Sequence, residues 1–184
     1  MNTDYTVKGF RRINGHDGQG WEANLYHGKT KIAEAFDDGW GGMVEVRWEV
    51  PTKFHGDGAA VRQHTDEMIA SHTPNINQWL SENEGWWTEF IDSPSEESVA
   101  WFIEHHGRVA EDQKIAKRTL RSKFIVKVGS DLWEWKRLPA KNPNHTRADA
   151  AIRKVATADF PDGIVLNDLP IAEATLYLTY EEEA

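Results

Sequence analysis

Residues 44–50 read Val-Glu-Val-Arg-Trp-Glu-Val. Val44, Val46, Trp48 and Val50 alternate with Glu45, Arg47 and Glu49, the two-residue period of a strand with one face on a core and the other in water. Pro51, which has no N–H to donate, ends the run. The same period extends upstream. Trp21, Ala23 and Leu25 alternate with Glu22, Asn24 and Tyr26; Lys31 to Phe36 returns as another strand, and Tyr5 to Phe10 precedes both. Asn14 to Gly20, His27-Gly28-Lys29 and Asp37 to Gly42 are the glycine-rich turns between them. The prediction is a four-stranded antiparallel meander.

Downstream the period changes to helical. Asp57 is placed to cap a helix through Val61, His64, Met68 and Ile69, with a break expected at Thr73-Pro74. Ile76, Trp79, Leu80, Trp86, Trp87, Phe90 and Ile91 form a second apolar set, interrupted near Gly85. Ser93-Pro94-Ser95-Glu96 is a helix start with Ser93 as cap. Val99, Phe102, Ile103 and His106 follow, with Gly107 as an end or a bend. Ala110 to Leu120 favours helix, anchored by Ile115 and Leu120. Phe124, Val126 and Val128, then Gly129-Ser130, then Leu132 to Leu138 predict a hairpin. Asn144 opens a helix to about Thr157, with Thr146 and Asp149 as its capping box. Pro161-Asp162-Gly163 is a turn and Ile164 to Leu166 a short strand. Leu176, Leu178 and Tyr180 alternate, which favours strand over helix for Ala172 to Tyr180. Glu181 to Ala184 reads as a frayed tail. The whole predicts one α+β domain over residues 1–184, the meander packed on helices with a second hairpin near residue 130. A subdivision would separate the meander, 1–50, from a helical and mixed lobe, 57–184.

Composition bounds the chemistry. Nine Trp among 184 residues supply large buried areas to a chain short of other core formers. The absence of cysteine removes disulfides, Cys-zinc sites and thiol nucleophiles. The opening residues lack the basic and apolar regions of a secretory signal, and no apolar run approaches a membrane span. The expectation is a cytoplasmic protein without membrane association. Charge is sorted along the chain. Residues 1–112 carry a net −11, residues 113–158 a net +9 and residues 159–184 a net −7. Such segregation acts on partner choice and association more than on fold.

No catalytic constellation stands out. The eight histidines show no HxxxH, HExxH or HxH spacing, so no metal site and no cofactor is expected. Neither glycine loop has a phosphate-loop or dinucleotide fingerprint. There is no GxSxG elbow, and the paired acids Asp37-Asp38 and Glu96-Glu97 diverge as sequence neighbours do. The expectation is a protein that is not an enzyme. Three features remain as binding candidates. The second glycine turn presents Asp37, Asp38 and Trp40, and an exposed Trp is an effective interface anchor; turn chemistry is the plainer account. Glu82, Glu84, Glu89, Asp92, Glu96 and Glu97 cluster in the middle helices. A contiguous acidic face imitates a phosphate backbone and fits a basic groove, although a merely solvated face is the plainer account. Lys114, Lys117, Arg118, Arg121 and Lys123 recur at helical spacings, with Lys136, Arg137, Lys141, Arg147, Arg153 and Lys154 beyond them and Trp133 and Trp135 nearby to stack on a base. Neutralisation of this stripe by the acids of the same chain or of a second copy is the favoured account.

The stretch VKGFRRINGHDGQGWEANLYHGKTKIAEAFDDGWGGMVEVRW, and the later KFIVKVGSDLWEWKRL, resemble parts of small bacteriophage- and prophage-encoded accessory proteins. The resemblance implies a class that includes stoichiometric inhibitors of host restriction and CRISPR immunity. On that basis the expected function is inhibition of a host nucleic-acid-handling complex, a protein or ribonucleoprotein, in a bacterial cell. Asp37, Asp38, Trp40 and the six helical acids would form the partner surface. The alternative is a nucleic-acid-binding regulator using Lys114, Lys117, Arg118, Arg121 and Lys123, and a third is an enzyme whose site assembles only in three dimensions. Complementary charge blocks also suit a homo-oligomer.

Overall fold

The computed structural model describes residues 4–14, 18–41, 43–84, 96–142 and 144–179. The order is β1 (Tyr5–Asn14), β2 (Gln19–His27), β3 (Thr30–Asp37), β4 (Glu45–Trp48), α1 (Gly58–Asn83), α2 (Glu96–Ser122), β5 (Lys123–Val128), β6 (Asp131–Lys136), α3 (His145–Asp159), β7 (Ile164–Val165) and α4 (Ile171–Thr179). This is the α+β architecture that the order of periodicities predicts. The chain divides into two compact units, Met1–Ala110 and Glu111–Ala184, the boundary falling inside α2. The predicted features at Gly85, Trp86, Trp87, Phe90, Ile91, Ser93-Pro94-Ser95 and the final tail lie outside the described residues.

In the first unit β1 to β4 pair in chain order, all antiparallel. The alternation that decided the fold holds: Trp48 is buried while Glu45, Arg47 and Glu49 are exposed. Trp21, Ala23, Leu25, Ala33 and Ala35 continue the buried face, which packs with Ile76 and Leu80 of α1 and Val99, Phe102 and Ile103 of α2. A bulge between Lys8 and Arg11 contains Gly9, whose φ of +69° suits glycine. The adjacent Phe10 ring stacks on Trp21 with centroids 5.6 Å apart.

Two helical expectations are corrected here. Thr73-Pro74 does not break the first helix; α1 runs through Pro74 to Asn83. Pro74 removes the N–H that would bond the Ala70 carbonyl, at a cost of about 3 kcal/mol. Burial of Ile76 and Leu80 beyond it offsets this with roughly 2 kcal/mol each. Packing therefore wins over propensity. Gly107 neither ends nor interrupts α2. A Cβ there would stand 2.1 Å from the Phe10 ring, so the glycine serves close approach of helix and strand. The Asp57 cap is as predicted: its Oδ1 accepts from the Ala59 and Ala60 amides at 3.0 and 3.1 Å.

The second unit is built on the predicted hairpin. Gly129 opens its turn at φ +60°, the sign a primed turn requires. β7 pairs with the other side of β5, giving the strand order β6-β5-β7. Phe124 pairs with Trp135 and Val126 with Trp133, and this face packs with Ile152 and Ala156 of α3 and with Phe160. Ile125 lies on the opposite face, with Leu120, Leu166, Ala174 and Leu178. The small sheet is thus covered on both sides, by α3 and by α4 with the end of α2.

Four further expectations are corrected in this unit. Residues 171–179 form α4, not a strand: Ile171, Ala174, Thr175 and Leu178 turn inward at helical spacing, while Leu176 is 56% exposed. The apparent alternation joined one inward and one outward leucine. Ile115 is 52% exposed and anchors nothing; Ala116 and Leu120 hold that part of α2. Thr146 and Asp149 form no capping box, since Asn144 is the cap residue and Asp149 binds Arg137 instead. Leu166 starts a 3-10 turn rather than ending a strand.

Candidate functional site

Where α2 passes directly into β5, a groove of about 600 Å³ opens between the helix end, the start of β5, the end of β6 and the segment that follows it. Arg121, Lys123, Glu134, Trp135, Lys136 and Arg137 line it. The direct helix-to-strand passage leaves helix-end carbonyls in need of donors. Asn167 supplies them: its Nδ2 donates to the Leu120 and Lys123 carbonyls, both at 3.0 Å, and its Oδ1 accepts from the Ile125 amide at 2.9 Å. Arg137 Nη1 also donates to the Leu120 carbonyl at 2.7 Å. Ser122 Oγ donates back to the Thr119 carbonyl at 3.0 Å. The negative end of the helix dipole, which would repel an anion, is thereby covered.

The charges of the groove divide into paired and unpaired. Lys123 bonds Glu134. Arg137 grips Asp149 through Nε, at 3.1 and 3.2 Å, and through Nη2. That guanidinium holds the Asp149 carboxyl below the usual carboxylate range. Arg153 takes Asp168 in the same two-pronged way. Arg121 and Lys136 make no ion pair with any described carboxylate of this unit, nor do Lys114, Lys117 and Arg118. Lys114, Lys117, Arg118 and Arg121 are exposed and lie on one side of α2, opposite the buried Ala116 and Leu120. They form a stripe about 10 Å long that ends at Arg121 in the groove. Within this unit Lys123 alone of the five has a carboxylate partner among the described residues.

Trp135 is among the residues at the groove, its side chain on the Phe124 face of the sheet, opposite Lys123, Glu134 and Lys136. Phe124 holds its ring edge-on at 6.3 Å and Phe160 lies at 6.5 Å. Trp133 is stacked obliquely on Phe160 at 4.8 Å and does not line the groove.

The side chains of six of the nine residues expected at the partner surface are described. Asp37 accepts from the Gly39 amide at 2.8 Å and Asp38 from the Trp40 amide at 2.9 Å, so both carboxylates shape the β3–β4 turn. The turn does present apolar surface, with Trp40 60% and Met43 97% exposed. Glu82 accepts from Gln78 on its own helix, and Glu84 lies 3.2 Å from His105. Glu97 is exposed. Glu89 and Asp92 lie outside the described residues, as does the side chain of Glu96, which opens α2.

Sequence reasoning named the basic residues and Trp135 but missed Asn167, which lies more than forty positions from the backbone groups that it joins. A lone Asn carries no periodic signal. Among the described residues no three His, Asp or Glu side chains are placed to hold a metal ion, and no helix is long and apolar enough to cross a membrane. Searches against protein-family models, curated proteins and solved structures found no match for this chain.

Proposed function

We propose that this protein binds nucleic acid through its second unit, the stripe on α2 holding phosphates and the groove receiving the strand. One observation carries the reading: Arg121 and Lys136 line one groove without carboxylate partners among the described residues of the unit, while Lys123 and Arg137 beside them are paired. Unpaired cations displace counterions from a phosphate backbone, and the release of those counterions drives binding. This is the regulator reading of the basic segment, centred on Arg121 and Lys136. The test is fluorescence anisotropy of a labelled oligonucleotide over a salt series. If about five phosphates are contacted, log K should fall with log salt at a slope of about −3.5 for a single strand. Replacing Lys114, Lys117, Arg118 and Arg121 by Glu should abolish binding and leave the unfolding midpoint unchanged. A flat salt response, or binding that survives this reversal, would defeat the proposal.

A second reading concerns the first unit. Trp40 and Met43 project from a turn that two Asp side chains hold in shape, which suits docking to a protein. This supports the expected inhibitor of a host defence complex, with Trp40 as its anchor. Affinity capture from bacterial lysate after nuclease treatment tests it. A stoichiometric partner lost with Trp40→Ala and Met43→Ser is the expected outcome; a partner retained by both variants would sink it.

A further inference from the structure

We infer that two copies of this chain join through the outer edge of β6, strand against antiparallel strand, about a two-fold axis at Trp133. The inference is independent of the nucleic-acid reading above.

A strand at the edge of a sheet leaves a row of backbone N–H and C=O groups unpaired, and proteins blunt such edges with bulges, short strands or proline. The two sheets have β1, β4, β6 and β7 at their edges. The bulge between Lys8 and Arg11 breaks β1, β4 spans four residues and β7 two. β6 has none of these devices. It spans six residues, contains no proline and pairs with β5 without a shift of register. No described strand pairs with its other side. The Arg137 amide donates to the Ser122 carbonyl at 2.8 Å, which continues the ladder with β5. Backbone groups alternate sides along a strand, so Leu132, Glu134 and Lys136 turn theirs outward.

Two observations point to a second copy as the occupant. The first is charge. The unit that carries β6, residues 111–184, holds twelve Lys and Arg against twelve Asp and Glu, while residues 1–110 carry the whole net −9. Two copies that meet through the neutral unit are spared the repulsion of two acidic ones. The second is register. With the axis at Trp133, residues 131–135 of the two strands overlap. Leu132 of each copy then exchanges backbone hydrogen bonds with Glu134 of the other. The two Trp133 side chains fall opposite each other at a non-hydrogen-bonded position, where side chains stand closest. Trp133 has surface to give: it is 47% exposed despite its contact with Phe160. An axis at Glu134 would set two carboxylates face to face, which is destabilising. An axis at Trp135 would shorten the overlap to residues 134–136.

The experiment is sedimentation of the full chain, freed of nucleic acid by nuclease, from micromolar to sub-millimolar concentration. A monomer–dimer equilibrium is expected. Trp133→Lys, which sets like charges opposite each other across the axis, should weaken the dimer by about tenfold or more. Glu134→Pro removes an outward N–H and leaves the bonds to β5 in place, so it should leave only monomer; should that variant fail to fold, Trp133→Lys decides. The chain has no cysteine, so an introduced thiol reports the register directly. Facing residues at a non-hydrogen-bonded position have Cα atoms about 4.5 Å apart, within disulfide reach. Under mild oxidation Trp133→Cys should therefore cross-link two chains faster than Glu134→Cys. A chain that stays monomeric throughout, even one that takes a strand from a different protein on β6, would overturn the inference. So would a dimer of undiminished affinity in Trp133→Lys, or faster cross-linking through Glu134→Cys.

Discussion

The two sheets of this protein handle charge in opposite ways. The first has one buried face and one face in water, and the charges on its wet face answer one another: Arg11 with Glu22, Lys31 with Glu34 and Glu49, Arg47 with Glu45. Cross-strand pairing places opposite signs side by side, so that face has little left to offer a charged ligand. In the second sheet the middle strand β5 is buried while β6 is largely exposed, and exposed cations lie along α2. There Glu134, Asp149 and Asp168 are taken by Lys123, Arg137 and Arg153, with His145 also 3.7 Å from Asp149. The chain-wide net charge of −9 describes neither surface. The local arrangement of charge, not the net charge, sets the field at the groove.

The cores differ too. The first unit packs large aromatics, and several of its buried polar atoms have no hydrogen-bond partner among the described residues, Trp21 Nε1, Ser98 Oγ and His106 Nε2 among them. Its stability therefore depends on ring packing. Phe102, in contact with the rings of Tyr5, Trp79 and His106, is the place to break it. Phe102→Ala should cost about 4 kcal/mol in chemical denaturation; a loss below about 1 kcal/mol would show that aromatic packing is not what holds this unit.

A pH scan sharpens the same contrast. Burial, and then the neighbouring His105, push the His106 pKa down from 6.5 to about 4. The folded state therefore holds its proton less tightly than the unfolded chain. The stabilising effect is complete above pH 6.5 and is lost as pH falls toward 4. With allowance for its partial exposure, the loss is about 2 kcal/mol. His72, also lowered by burial and then by His27, acts in the same sense. His106→Phe should flatten the profile in part; an unchanged profile would remove His106 from the explanation.

Smaller effects follow. Pro74→Ala should raise the unfolding free energy by roughly 1–2 kcal/mol, because it restores a helical hydrogen bond without disturbing Ile76 or Leu80. A loss of stability would mean that Pro74 itself contributes packing. Trp40→Ala, at the exposed turn, should change stability by less than about 0.5 kcal/mol. A larger loss would show that the turn is a structural contact rather than a presented surface.

Local pattern made much of this legible. The meander, the Asp57 cap and the Gly129 hairpin were each readable because their signals lie within a few residues of the effect. Pro74 and residues 171–179 misled for the same reason. At Pro74 a local penalty was outweighed by burial of residues further along the helix. At Leu176 and Leu178 an alternation of two was matched by chance within a helix whose inward residues are Ile171, Ala174, Thr175 and Leu178. The site was half readable: the stripe on α2 has helical spacing, but the groove needs Lys136 and Trp135 of β6 beside the end of α2, and Asn167 to hold the junction.

By itself the sequence determined the α+β class, the meander, the absence of thiol chemistry and the presence of a cationic block in an acidic chain. These depend on composition and on periods of two or four residues, and neither needs a partner segment to be known. The tertiary structure alone decided which cations are neutralised. An ion pair forms between groups brought within a few ångströms, and Lys123 with Glu134, Arg137 with Asp149 and Arg153 with Asp168 are separated by eleven to fifteen positions in the chain. Only after those pairs are made do Arg121 and Lys136 stand out in the groove as charges without a carboxylate partner among the described residues of the unit.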